Sequence, residues 1–137
     1  MQRRMRYLAA LLTVIALSVV STPVASTASA RQAVSCNGAI SWSKAHAYAG
    51  KVATVKGRVV NTYYATSSGG QPTFLDLGVG YPDARRFTAI IWRKDRAKFG
   101  SPERRYYGKT ICVRGLITMY DGRAEISVRS PSQIRVA

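Results

Sequence analysis

At 137 residues, with 21 lysines and arginines against six aspartates and glutamates and a formal net charge of +15, the chain has room for one domain and the sign of a polyanion binder. One histidine leaves any imidazole-based triad or metal centre a single ring to draw on, and two cysteines allow one disulfide. The charge does not name the partner: nucleic acid, anionic lipid headgroups and acidic wall polymers all carry the opposite sign, and a high charge also keeps a secreted protein soluble.

Residues 1–30 read as an export signal. Arg3, Arg4 and Arg6 form a basic head, YLAALLTVIALSVV from Tyr7 to Val20 an apolar run, and Ala28-Ser29-Ala30 a small-residue cleavage site. The run is shorter than the roughly 20 residues a membrane-spanning helix needs, so no transmembrane segment is expected after cleavage. Cys36 lies too far beyond the run to fit a lipidation site. Cleavage after Ala30 leaves 107 residues with 18 basic and six acidic side chains, bound for the periplasm, the envelope or the extracellular space. There, Cys36 and Cys112 pair most simply as a disulfide.

Residues 31–49 read as a lead-in and one short helix. Ser41 or Ser43 offers the N-cap, Trp42, Ala45 and Tyr48 share a face, and Gly50 stops the turn. His46 lies on this helix with no second metal-type side chain near it in sequence, which suits a surface or capping role. The main domain is expected over 50–137. Its first strand runs from Val52 to Tyr63, with Ala53, Val55 and Val59 inward, Thr54, Lys56 and Arg58 outward, and a bulge or bend expected at Gly57. After the Gly/Ser-rich loop that closes at Pro72, PTFLDLG forms a second strand with Leu75 and Leu77 on one face and Phe74 and Asp76 on the other. RFTAIIW is the third strand, and Trp92, Phe87 and Trp42 are assigned to packing. RKDRAKFGSPERRYYG follows as two helical pieces, the second opened by Ser101 and Pro102, with its charges in solvent. TICVRGLITMY is the fourth strand, with Ile111, Val113, Ile117 and Met119 inward. Asp121-Gly122 makes a hairpin turn, RAEISVR is the fifth strand, and Pro131 ends it.

Three strands, a helical connection and two more strands give an all-β fold with short helices, the five-stranded OB-fold barrel preceded by a short N-terminal helix. An SH3-like barrel would not place helix between the third and fourth strands. Within this barrel, GKVATVKGRV from Gly50 and GKTICVRGLI from Gly108 repeat glycine, lysine, valine, a basic residue and a second glycine. They read as the first and fourth strands, each led in by a glycine and bent at another, as a small barrel requires.

The chain also resembles the exported bacterial OB-fold domains that occur alone or joined to thermonuclease-type and phosphoesterase domains. The resemblance rests on ISWS before the first strand, GKVATVKGRVV, PTFLDLG, Tyr81-Pro82, FTAIIW, GKTICVRGLI and the closing PSQI from Pro131 to Ile134, and it covers the chain from Ile40 onward. It implies an OB fold and nucleic-acid binding. No nuclease domain is attached here, so a separate nuclease is a conceivable partner.

Catalysis is not expected. Asp121 fits a turn, Asp95 and Glu103 fit helices, and Asp83 sits in a loop. That leaves Asp76 and Glu125 on strands among many cations, as ion-pair partners and not as a metal site. No cofactor and no metal are expected. An OB barrel receives ligand across its second and third strands and the flanking loops, where a basic groove tracks phosphates and rings stack on bases. The candidate nucleic-acid-binding residues are Lys56 and Arg58 on the outward face of the first strand, Tyr63 and Tyr64 where it enters the first loop, Phe74 on the second strand, Arg86 at the start of the third, and Tyr120 and Arg123 around the Asp121-Gly122 turn. A one-residue slip of the second strand would instead bury Phe74. The expected function is an exported, non-catalytic module binding single-stranded DNA or RNA without sequence preference. The alternative is a cell-envelope protein using the same barrel for an acidic polymer, an oligosaccharide or a protein partner.

Overall fold

In the computed structural model of the protein, which describes residues 33–137, alternation along VKGRV sends Val55, Gly57 and Val59 inward and leaves Lys56 and Arg58 in solvent. The expected export signal over 1–30 lies outside the described residues. In chain order the elements are β1 (Ile40–Ser41), a 3-10 helix (Trp42–Tyr48), β2 (Val52–Tyr64), β3 (Thr73–Leu77), β4 (Phe87–Ile91), α1 (Arg93–Arg96), a 3-10 turn (Ala97–Phe99), α2 (Pro102–Tyr106), β5 (Thr110–Leu116), β6 (Thr118–Tyr120), β7 (Arg123–Ser127), a 3-10 turn (Pro131–Gln133) and β8 (Ile134–Val136). No helix among the described residues is long and apolar enough to cross a membrane.

The strands neighbour one another in the order β6-β7-β4-β3-β2-β5-β8, with β1 added beside β2. β5 and β6 are consecutive pieces of one stretch, yet β5 pairs with β2 and β6 with β7. The stretch from Thr110 to Tyr120 therefore closes the sheet on itself. β4 and β7 run parallel, while β2-β3, β3-β4 and β2-β5 are antiparallel. This is the OB barrel, with the expected helical connection between its third and fourth strands. The expected five strands become eight segments for two reasons. The fourth strand breaks at Ile117, and short strands β1 and β8 flank the barrel where the sequence offered only a lead-in and a terminus. Val55, Val59, Leu75, Leu77, Phe87, Ile111, Val113, Ile117 and Ile126 fill the interior, and Phe99 and Tyr106 join them from the helical connection.

The repeated ten-residue segments are antiparallel partners. Gly50 N–H donates to the Ile117 carbonyl at 2.8 Å and Gly108 N–H to the Val59 carbonyl at 2.9 Å, so each leading glycine ends the ladder on the other copy. Both have φ near +80° (82° and 74°), a conformation glycine adopts freely. Val55 faces Val113 at the centre. Gly57 and Gly115 do a different job from the expected bend. A Cβ on Gly57 would lie 2.9 Å from the Trp42 ring, and one on Gly115 2.5 Å from Ile126, so these glycines admit a neighbour's side chain. The bends come two residues later: β2 shifts register between Val59 and Asn61, and β5 ends before Ile117. Met119, expected inward, is 44% exposed, because β6 pairs on one side only and reaches the rim.

Cys36 and Cys112 form a disulfide with Cα atoms 5.6 Å apart, closing a loop of 76 residues. By chain entropy this stabilises the fold by about 4 kcal/mol. It pins the lead-in across the outside of β5, where Val34 is buried.

Candidate binding groove

The bulge in β2 decides what the groove contains. Before it, β2 runs beside β5; after it, β2 runs beside β3. The outward side chains of its two halves therefore have different company. Beyond the bulge, Tyr63 stands opposite Phe74, Phe74 opposite Ile90, and Ile90 opposite Ser127, one row across β2, β3, β4 and β7. The next row is Asn61, Asp76, Thr88 and Glu125. β3 thus keeps the unslipped register: Leu75 and Leu77 are interior, and Phe74 is partly exposed on the outer face.

Asp76 organises the floor. Only 3% exposed, it accepts hydrogen bonds from Asn61 Nδ2 (3.0 Å), Thr88 Oγ1 (2.8 Å) and the Tyr81 N–H (3.3 Å), and it pairs with Arg86 Nε at 3.4 Å. Arg86 is 7% exposed and also donates through Nη1 to the Asp83 carbonyl at 2.7 Å. Its guanidinium lies 5.4 Å from the Tyr81 ring centre. On the opposite wall Arg123 lies 5.0 Å from the Tyr120 ring centre and 3.6 Å from Glu125 Oε2. That separation is long for a hydrogen bond, and Arg123 Nε and Glu125 Oε2 are both buried without a hydrogen-bond partner among the described residues. Burial pushes the Glu125 carboxyl above the usual glutamate range, and Arg123 and Arg86 partly oppose this.

Asn61, Thr62, Tyr63, Phe74, Asp76, Tyr81, Arg86 and Arg123 together enclose an open cavity of about 610 Å³. Rings rise from its rim, with Tyr63 60% and Tyr81 75% exposed. Of the residues expected to bind, the groove gathers Tyr63, Phe74, Arg86 and Arg123, with Tyr120 behind Arg123. Lys56 and Arg58 fall outside it. They belong to the half of β2 before the bulge, where Lys56 stands in register with Cys112. Tyr64 turns away as well, with the Arg96 guanidinium 3.8 Å from its ring centre.

Asn61, Thr62, Asp76 and Tyr81 are the groove residues that sequence reasoning left unassigned to binding. The signal for Asp76 was present, an acid inside the apolar run FLDL. Trp92, expected in packing, is only partly buried and projects from the same outer face as Phe74. Among the described residues no cluster of three or more His, Cys, Asp or Glu side chains lies within reach of a common metal ion. What the groove offers is flat apolar faces, guanidinium edges and a fixed carboxylate beneath them.

No protein-family model matches the chain, and no curated protein matches it. Among solved structures, an Entamoeba histolytica asparaginyl-tRNA synthetase matches with a TM-score of 0.48 and 16% identity over 72% of this chain and 23% of its own. An aspartyl-tRNA synthetase from Leishmania major Friedlin matches with a TM-score of 0.45 and 14% identity over 85% of this chain and 23% of its own. OBody AM1L10, solved bound to hen egg-white lysozyme, matches with a TM-score of 0.45 and 15% identity over 66% of this chain and 83% of its own. The chain thus spans about a quarter of the synthetases' length, and the OB assignment rests on its own strand order.

Proposed function

We propose that the barrel is an exported, non-catalytic module that binds single-stranded nucleic acid, DNA or RNA, with little sequence preference. One observation carries this reading: the partly exposed rings of Tyr63 and Phe74 stand side by side on the outer sheet, in the same cavity as Arg86 and Arg123. Rings stack on bases of any identity, and a guanidinium can meet the phosphate between them, a role that falls to Arg123 because Arg86 is held by Asp76 and the Asp83 carbonyl. The 18 basic against six acidic side chains that remain after cleavage at Ala30 supply long-range attraction, and a disulfide suits an oxidising compartment. Titrating a labelled single-stranded oligonucleotide at two salt concentrations tests the reading. Binding should weaken as salt rises, with a log–log slope of about −0.7 for each phosphate neutralised. Absence of binding at low salt overturns it.

A second reading draws on the residues outside the groove. Lys56, Arg58, Arg114 and Arg135 are exposed on β2, β5 and β8, and no ion pair among the described residues includes them. Lys56 and Arg135 both stand in register with Cys112, and Arg114 Nη1 donates to Thr54 Oγ1. Such a face suits an acidic envelope polymer met by charge alone. Retention on anionic wall polymer that survives Phe74→Ala but not Lys56→Ala with Arg58→Ala would favour this reading. Indifference to all three substitutions would dismiss it.

A further inference from the structure

We infer that the groove has a second stacking subsite at Trp92, flanked by Arg93 and Lys94, so that the full ligand is a strand of several nucleotides crossing the sheet; this rests on the single-strand reading of the groove. The alternation that buries Ile91 turns Trp92 outward. Its Nε1 donates to Ser127 Oγ at 3.4 Å, and Ser127 ends the row that begins with Tyr63 and Phe74. Trp92 therefore continues the lane of the first cavity.

The loop between β2 and β3 builds the other wall. Arg93 N–H donates to the Gly70 carbonyl at 3.2 Å. A Cβ on Gly70 would lie 2.9 Å from the indole, and the residue has φ +73°, so glycine is required on both counts. Loop and ring are thereby held together around an open cavity of about 790 Å³, lined by Ser68, Gly70, Gln71, Trp92, Arg93 and Lys94. Arg93 and Lys94 are exposed, and neither belongs to an ion pair among the described residues. An indole beside two free cations repeats the chemistry of the first cavity, a ring for a base and positive charge for its phosphate.

The two cavities adjoin on the outer face. Phe74 lines the first and stands opposite Ile90, while Trp92 of the second lies two residues beyond Ile90, so two bases set on Tyr63 and Phe74 leave the indole to a further nucleotide. A dinucleotide can fill one cavity, while a strand of about four nucleotides or more, the short end of what an OB fold covers, can fill both.

The chain has two tryptophans, and Trp42 is packed against Gly57 and Gly78, so ligand-dependent emission reports Trp92. We would titrate thymidine oligomers, a dinucleotide and one of about eight residues, at low salt, following emission and, by calorimetry, affinity. The longer strand should quench emission and the dinucleotide should not. Trp92→Ala should weaken the longer strand by about 5- to 150-fold, the range of one stacking contact, and leave the dinucleotide unchanged. The surface pair Arg93→Ala with Lys94→Ala, which leaves the ring in place, should likewise weaken only the longer strand. If the longer strand binds without quenching and the pair variant binds it like the parent protein, the second subsite is refuted while the groove stands. If neither oligomer binds, the single-strand reading falls and takes this inference with it.

Discussion

A carboxylate in the middle of FLDL is costly to bury unless donors meet it. Asn61, Thr88 and the Tyr81 N–H meet Asp76 from three directions, with the Arg86 guanidinium on a fourth. Three of these partners, Asn61, Tyr81 and Arg86, line the groove, so meeting the buried charge also sets the shape of the cavity. Asp76→Ala should lose about 3–5 kcal/mol, the cost of leaving a buried arginine without its partner, measured by urea denaturation, and should weaken oligonucleotide binding more than Lys56→Ala does. A stability change under 1 kcal/mol would mean that Arg86 relaxes into solvent. The sequence made the acid visible but not its role. A period-2 pattern places Asp76 on the outer face, yet which residues stand opposite depends on strand pairings made 12 to 15 residues away.

At the scale of elements, β2 shows what alternation can and cannot tell. Val55 and Val59 inward, Lys56 and Arg58 outward, were legible from VKGRV alone. That the outward face changes neighbours at the bulge was not, because a change of partner strand leaves no mark in the residues that make it. Trp92 escaped for a related reason: large rings are usually core, and only the ordered β2–β3 loop gives this one a wall to face.

The helical connection holds a separate clamp. Arg96 lies over the Tyr64 ring, donates to Thr73 Oγ1 and pairs with Glu103 at 2.8 Å. The hydrogen bond from Arg96 is the largest cause of a Glu103 carboxyl below the usual value near 4.5. A carboxyl lowered on folding contributes stability in full above its unfolded value and loses it as pH falls through the lower folded one. Glu125, raised by burial, works in the opposite direction: it takes up a proton on the folded protein first, and the cost of burying its charge lessens as pH falls. Below about pH 4.5, then, the connection should loosen before the barrel. Glu103→Gln should flatten the acid limb of a thermal-stability profile, while Glu125→Gln should leave that limb in place. An unchanged acid limb in Glu103→Gln would remove the clamp from the account.

For the whole molecule, the sequence carried the barrel because its signals agreed: alternating strands, the helical insertion and the Asp121-Gly122 turn all point to one topology. It did not carry β1 or β8, which are too short for periodicity and exist only because β2 and β5 present edges to them. The disulfide closes 76 residues, so Cys36→Ser with Cys112→Ser should lower stability by about 4 kcal/mol without changing oligonucleotide affinity, since the groove lies on other strands. A loss below about 1 kcal/mol would point to a denatured state already held compact.

The same bond has a mechanical consequence. Without it, a pull on the lead-in near residue 33 would peel β1 away from β2 one hydrogen bond at a time. With it, tension passes through sulfur into β5, which lies between β2 and β8. Extraction then requires shearing β5 against both neighbours at once, so a protein tethered by its N-terminal segment would resist drag through a strand paired on both sides.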